Sequence, residues 1–130
     1  MMAPFGCDHI GILTGDADRL EEFYITKLGF QKEKDVVLSG PITETLFGVD
    51  AEVRFIRLFR GDFKLEIFQP TSEIKSGSGA GFHHFGLVVG DKDEFLVMMA
   101  ERDVPVIRID RDGNPVYFIK DPDGNLIEIR

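Results

Sequence analysis

A short histidine-bearing segment occurs near the start of the chain and again near its middle. Asp8-His9-Ile10-Gly11-Ile12 corresponds to His83-His84-Phe85-Gly86-Leu87, with His84 aligned on His9 and Gly86 on Gly11. Each half also closes on a glutamate between apolar residues, in Leu65-Glu66-Ile67 and Ile127-Glu128-Ile129. Internal similarity of this kind predicts two modules of the same fold, with polar side chains at equivalent places.

The spacing of apolar residues predicts the order β-α-β-β-β in each half. The first half is expected to form its strands and helix over residues 7–13, from Asp16 or Asp18 to Gly29, 30–38, 51–60 and 63–70. The second half is expected to form them over residues 83–89, 92–102, 104–109, 115–120 and 126–130. Residues 39–50 fit a short helix or a loop, acting either as a lid or as a packed connector.

Length and composition limit the classes of protein. With 130 residues, the chain has the size of one domain, so we expect a module of residues 5–71 and a module of residues 82–130 to share it, joined by a Gly/Ser-rich tether over 73–81. A formal net charge of −8 disfavours nucleic acid and anionic membranes as partners. No apolar run reaches the length of a membrane span. The single cysteine, Cys7, excludes an internal disulfide, and a cytoplasmic location is expected.

Two histidines and two glutamates form a predicted metal-binding set. In a half-buried strand, alternate side chains point the same way, so Glu66 and Glu128 face away from their apolar neighbours. A carboxylate placed there needs a partner. His9, Glu66, His84 and Glu128 supply nitrogen and oxygen donors that suit one divalent ion of Zn, Ni, Co, Mn or Fe. Cys7 shares the face of His9 but is expected to be a small buried residue, and His83 is expected to be structural.

With these features in place, the chain resembles the vicinal oxygen chelate superfamily, which includes glyoxalases, bleomycin-resistance proteins and extradiol dioxygenases. The resemblance covers almost the whole chain. It is carried by Asp8-His9-Ile10-Gly11-Ile12, Leu28-Gly29-Phe30, Leu65-Glu66-Ile67-Phe68-Gln69-Pro70, His84-Phe85-Gly86-Leu87 and the segment from Asp121 to Glu128. It implies an α+β fold of two βαβββ modules forming a cupped mixed sheet, often completed as a homodimer, with the metal at the bottom of the cup.

The number of ligands separates the activities within this superfamily. The complete set of two His and two Glu is most similar to glyoxalase I-like lyases, which act on the hemithioacetal of methylglyoxal and glutathione. Methylmalonyl-CoA epimerases are an alternative, although their family usually has Gln where Glu66 stands. Ring-cleaving dioxygenases resemble three-ligand sites, and drug-binding modules of the bleomycin-resistance type generally lack the ligands.

A small-molecule substrate is the partner that the resemblance implies. Under the lyase or epimerase hypothesis, all four ligands bind the metal, and Glu66 or Glu128 also acts as the general base for a C–H proton. A two-residue turn at Gly61-Asp62 would pair Arg57 with Glu66, whereas a longer turn would bring Arg54 into play; either arginine could anchor a substrate anion or form a surface ion pair. Further candidates for the pocket wall, or else for the core, are Phe47, Phe68 and Phe118.

Overall fold

The computed structural model describes residues 7–72, 84–111 and 113–130. The chain divides into two compact units, Met1–Ser76 and Gly77–Arg130. This division falls inside the predicted tether at 73–81, and both the tether and His83 lie outside the described residues.

The first unit contains a four-stranded mixed sheet and two helices. Its elements in chain order are β1 Ile10–Leu13, α1 Ala17–Thr26, β2 Gln31–Leu38, α2 Pro41–Phe47, β3 Val53–Arg60 and β4 Phe63–Pro70. The strand order is β1-β4-β3-β2, in which the β1–β4 pair is parallel and the other pairs are antiparallel.

In its described residues, 84–111 and 113–130, the second unit repeats this plan without the second helix. Its elements are β5 His84–Leu87, α3 Lys92–Glu101, β6 Ile107–Arg111, β7 Asn114–Lys120 and β8 Leu126–Ile129. The strand order is β5-β8-β7-β6, again with one parallel pair, β5 with β8. The predicted α+β class and the duplicated βαβββ order are confirmed.

Equivalent aspartates begin the first helix of each unit. The side chain of Asp16 accepts a hydrogen bond from the backbone N–H of Arg19 at 3.1 Å, and that of Asp91 accepts one from Glu94 at 3.0 Å. Each bond satisfies a backbone donor that the first helical turn leaves without a partner. Of the two aspartates considered for α1, Asp16 is the cap.

Helix α1 packs against β3 and β4 and covers one face of the sheet. Leu20 and Tyr24 on the helix are fully buried, as are Leu65 and Ile67 on β4. Burial of an aliphatic side chain of this size stabilises the fold by about 2 kcal/mol. Because strand side chains alternate, the face opposite α1 is left for Glu66.

The hairpin of β3 and β4 closes on a two-residue turn at Gly61-Asp62. Arg60 pairs with Phe63, and Gly61 has a φ of +59°, a value that glycine adopts without strain. In this register Arg57 lies opposite Glu66, as predicted for the short turn.

The structure differs from the predictions at several boundaries. Strand β1 begins at Ile10 rather than at Cys7, and Cys7 is exposed rather than buried. In the second unit, β5 is the short His84–Leu87 rather than residues 83–89, and β6 is Ile107–Arg111 rather than residues 104–109. Residues 41–47 form a helix that ends at Gly48, whose left-handed φ of +67° lets its N–H bond to the Glu44 carbonyl at 3.0 Å.

Candidate metal centre

A glutamate lies beside a glycine in the parallel strand pair of each unit. Glu66 pairs with Gly11, and Glu128 pairs with Gly86. His9 precedes Gly11 by two residues, and His84 precedes Gly86 by two. Because glycine has no side chain, nothing on that residue separates the carboxylate from the imidazole, and the two groups can approach each other.

The two histidine–glutamate pairs have nearly the same geometry. Nε2 of His9 lies 3.3 Å from Oε1 of Glu66, and Nε2 of His84 lies 3.2 Å from Oε1 of Glu128. The glutamate side chains are 8% and 18% exposed, respectively, while the imidazoles are more open. We call His9–Glu66 the first half-site and His84–Glu128 the second half-site.

These separations fit two ligands of one ion. With metal–ligand bonds of about 2.1 Å, two neighbouring ligands lie about 3.0 Å apart in octahedral geometry and about 3.4 Å apart in tetrahedral geometry. The observed N···O distances fall in that range. Each half-site alone offers two donors, and the described residues contain no group of three or more His, Cys, Asp or Glu arranged to hold a metal.

Asp8 orients the imidazole of the first half-site. Its carboxylate Oδ2 lies 2.9 Å from Nδ1 of His9, which leaves Nε2 for Glu66 or a metal. This hydrogen bond lowers the pKa of Asp8. Carboxylate–histidine pairs of this kind accompany metal ligands because they fix the tautomer and direction of the ring. Strict strand alternation would put Asp8 and His9 on opposite faces, but both residues precede β1, so the side chain of Asp8 reaches His9.

Arg57 binds the other oxygen of Glu66. Its Nε and one terminal nitrogen, Nη2, donate to Oε2 at 2.9 Å and 2.8 Å. The guanidinium also lies over the ring of Phe55, 5.5 Å from its centroid. One carboxylate oxygen of Glu66 is thus bound by Arg57, and the other is directed at His9.

The second half-site uses an arginine and a phenylalanine in exchanged positions. Phe118 occupies the cross-strand position next to Glu128 that Arg57 occupies next to Glu66. Its ring meets the His84 imidazole edge-on, with centroids 5.3 Å apart. Arg130, which is equivalent to Phe68, donates to Oε2 of Glu128 at 3.1 Å. Arg130 was not among the predicted site residues, although it follows Glu128 by two residues, just past the end of β8, and alternation puts both side chains on the same side of the chain.

Three phenylalanines form an apolar cluster beside the first half-site. The rings of Phe68 and Phe55 are stacked, with centroids 5.0 Å apart and planes 9° apart. The ring of Phe47, on α2, also lies 5.0 Å from that of Phe68. An added Cβ on Gly11 would lie 3.3 Å from the Phe68 ring, so this ring covers the glycine. Phe47 and Phe68 therefore lie in contact with each other, and their role as a pocket wall stays a prediction.

Arg54 lies on the opposite face of β3 from Arg57. It binds Asp18 of α1 at 2.6 Å and Asp35 of β2 at 2.9 Å, and Glu21 is 3.8 Å away. The hydrogen bonds from Arg54 lower the pKa of Asp35. The structure thus places Arg54 in an ion-pair network with α1 and does not bring it to either half-site.

Comparison with known proteins identifies the family. The sequence model of the Glyoxalase/Bleomycin resistance protein/Dioxygenase superfamily matches residues 6–129. The chain belongs to this superfamily, as its duplicated fold and its paired His and Glu residues indicate. Within the described residues, no helix has the length and apolar character needed to cross a membrane.

Individual relatives show how widely this fold is used. The chain is 26% identical over 127 residues to the uncharacterized protein YwkD of Bacillus subtilis (strain 168), covering 93% of this chain and 92% of that protein. It is similar to the trypanothione-dependent glyoxalase I of Leishmania major, with 25% identity, a TM-score of 0.68 and coverage of 97% and 86%. The antibiotic-binding protein TnmS3 of Streptomyces sp. CB03234 shares the fold at 22% identity, with a TM-score of 0.66 and coverage of 100% and 98%.

Proposed function

We propose that the protein is a divalent-metal-dependent lyase or isomerase of the glyoxalase I type. The observation that carries the proposal is the presence of two equivalent half-sites, with N···O separations of 3.3 Å and 3.2 Å. In this proposal, His9, Glu66, His84 and Glu128 together bind one ion of Zn, Ni, Co, Mn or Fe. Both half-sites are needed because each offers two donors.

The bound ion would supply positive charge to two neighbouring oxygens of a small substrate, which makes a proton on the adjacent carbon more acidic. The residues of the chain supply the remaining functions. Glu66 or Glu128 accepts and returns the proton, since a carboxylate with one oxygen directed into the site can act as a general base. Phe47, Phe68 and Phe118 offer apolar surface to the substrate. Of the two arginines predicted to anchor a substrate anion, Arg57 is the one that lies beside a half-site.

The similarity to a glyoxalase I supports this activity over others in the superfamily, as does the presence of Glu rather than Gln at position 66. A methylmalonyl-CoA epimerase-like activity and ring-cleaving dioxygenation are the enzymatic alternatives. A homodimer and a cytoplasmic location are part of the proposal.

A metal-free binding module is the competing proposal from another class. The stacked Phe55–Phe68 pair would suit a flat aromatic ligand, and TnmS3 is an antibiotic-binding protein of the same fold. The complete His and Glu set favours the enzyme, because a module that sequesters a drug does not need four metal donors.

The test is a substrate panel on metal-loaded protein. Methylglyoxal with a thiol, methylmalonyl-CoA and catechols are supplied in parallel, and product is followed for each. Turnover of the methylglyoxal–thiol adduct supports the proposal, and the Glu66→Gln, Glu128→Gln double variant should lose it. Turnover that survives the double variant contradicts the assigned roles, while tight drug binding without metal supports the module.

A further inference from the structure

Arg57 binds one carboxylate oxygen of Glu66 and leaves the other directed at His9. Two of its N–H groups converge on Oε2, at 2.9 Å and 2.8 Å, and Oε1 is left facing Nε2 of His9 at 3.3 Å. We propose that Arg57 is a positioning residue, which fixes Glu66 so that it offers a single, directed oxygen to the metal ion. This inference rests on the proposed function, since it concerns the metal that the half-sites would bind.

The surroundings of Arg57 make it suitable for this task. Its position opposite Glu66 is set by the β3–β4 register, so the backbone brings the two side chains together. The Phe55 ring lies beneath the guanidinium, and Glu33 is 3.9 Å from the remaining terminal nitrogen. The side chain of Glu66 is 8% exposed. A charge-assisted pair of bonds in so covered a position restricts the carboxylate strongly.

The second half-site lacks this arrangement. Phe118, an apolar residue, stands where Arg57 stands in the first unit. Glu128 is bound instead by Arg130, through a single nitrogen at 3.1 Å, and the Arg130 side chain is 69% exposed. An exposed arginine held by one bond constrains its partner less, because solvent competes for both groups. Of the two glutamates, only Glu66 is therefore positioned by a half-buried arginine on the neighbouring strand.

Two roles for Arg57 predict different measurements. If Arg57 anchors a substrate anion, its loss raises KM and leaves metal affinity unchanged. If it positions Glu66, its loss lowers metal affinity in the absence of any substrate. Two of its three nitrogens already bind Glu66, which favours the positioning role.

The experiment measures zinc affinity of the full chain by competition with a chromophoric chelator. Arg57→Met should weaken zinc binding between about 10-fold and 100-fold, the usual effect of removing a group that orients a metal ligand. Arg57→Lys, which keeps the charge but not the paired donors, should lie between Arg57→Met and the unaltered protein. Thermal unfolding of the metal-free proteins checks that each variant is folded.

Lys34→Met is the matched control. Lys34 pairs with Arg57 on the neighbouring strand and lies over the same Phe55 ring at 5.8 Å, so its loss removes the same charge from the same place. It should change zinc affinity by less than about 3-fold, as expected for an exposed charge. If Lys34→Met and Arg57→Met lose zinc affinity equally, Arg57 acts only through its positive charge, and the positioning role is overturned.

The outcomes separate this inference from the proposed function. If the unaltered protein binds no zinc, the proposed function fails. If it binds zinc and Arg57→Met binds equally well, only the positioning role fails. If Arg57→Met does not fold, Arg57→Lys decides alone: unchanged zinc affinity overturns the inference, and a loss clearly greater than that of Lys34→Met supports it.

Discussion

Glu66 lies directly beside Gly11 in the parallel pairing of β1 and β4, and this neighbour lets its carboxylate approach His9. The same relationship between a glutamate and a glycine recurs in the second unit. The glycine is therefore part of each half-site, although it carries no functional group. The side chain next to this glycine differs between the two units, so the two glycines should differ in their tolerance of a larger residue.

Gly11→Ala should destabilise the protein, whereas Gly86→Ala should not. An added Cβ at Gly11 would lie 3.3 Å from the ring of Phe68, which is held by stacking on Phe55. We expect a loss of about 1 kcal/mol in the free energy of unfolding, because a packed ring yields poorly to an added methyl group. At Gly86 the nearest atom is Cγ of the flexible Arg130 side chain, at 3.6 Å, an ordinary contact.

Urea unfolding of both variants measures the difference. Gly86→Ala is the control and should stay within about 0.5 kcal/mol of the unaltered protein. Equal effects at the two positions would mean that the Phe68 ring does not restrict Gly11.

Asp8→Ala should weaken metal binding by about 10-fold, because the imidazole of His9 loses the partner that orients it. The hydrogen bond involved joins Asp8 Oδ2 and His9 Nδ1 at 2.9 Å. Zinc competition measures the change, and Asp50→Ala, at another exposed aspartate, is the control. Unchanged affinity in Asp8→Ala would show that the orientation of His9 depends on other contacts.

Asp35 should contribute to stability in a pH-dependent way. Its hydrogen bonds from Arg54 lower its pKa from the ordinary value of 3.8, so the contribution is present above that pH and is lost as the pH falls through the lowered pKa. We expect Asp35→Asn to be less stable than the unaltered protein at pH 7, by less than about 1 kcal/mol for so exposed a network. The difference should shrink below pH 3.8.

Urea unfolding from about pH 3 to about pH 7 measures how the stability difference between Asp35→Asn and the unaltered protein changes with pH. A difference that stays constant across the range would contradict the assigned pKa shift. Arg54→Met should share the stability loss at pH 7 and leave zinc affinity unaltered, since Arg54 lies on the face of β3 that packs toward α1.

Much of the fold could be predicted from the sequence because it depends on local patterns. The duplicated segments and the apolar alternation gave the βαβββ order, and the Gly61-Asp62 turn led to the pairing of Arg57 with Glu66. Residues 41–47 were ambiguous because the segment is short and its apolar residues do not have a clear period. In the structure, the left-handed Gly48, the buried Thr43 and the contact between Phe47 and Phe68 mark it as a packed helix.

The half-sites were predictable only in part. Equivalent positions in the two modules predicted the His9–Glu66 and His84–Glu128 pairs. The partners of those pairs depend on side-chain directions that no periodicity specifies. Asp8 reaches His9 because β1 starts later than predicted, and Arg54 is bound by acidic residues that are distant in the sequence. How the two half-sites act together on one ion stays a prediction.

The most direct measurement of the central claim is the metal content of protein purified without chelator and then titrated with zinc. The account predicts one ion bound per chain, and a large loss of affinity in both Glu66→Gln and Glu128→Gln, because each unit supplies two of the four donors. Binding that is unaffected by one of these substitutions, or no stoichiometric binding by the unaltered protein, would contradict it.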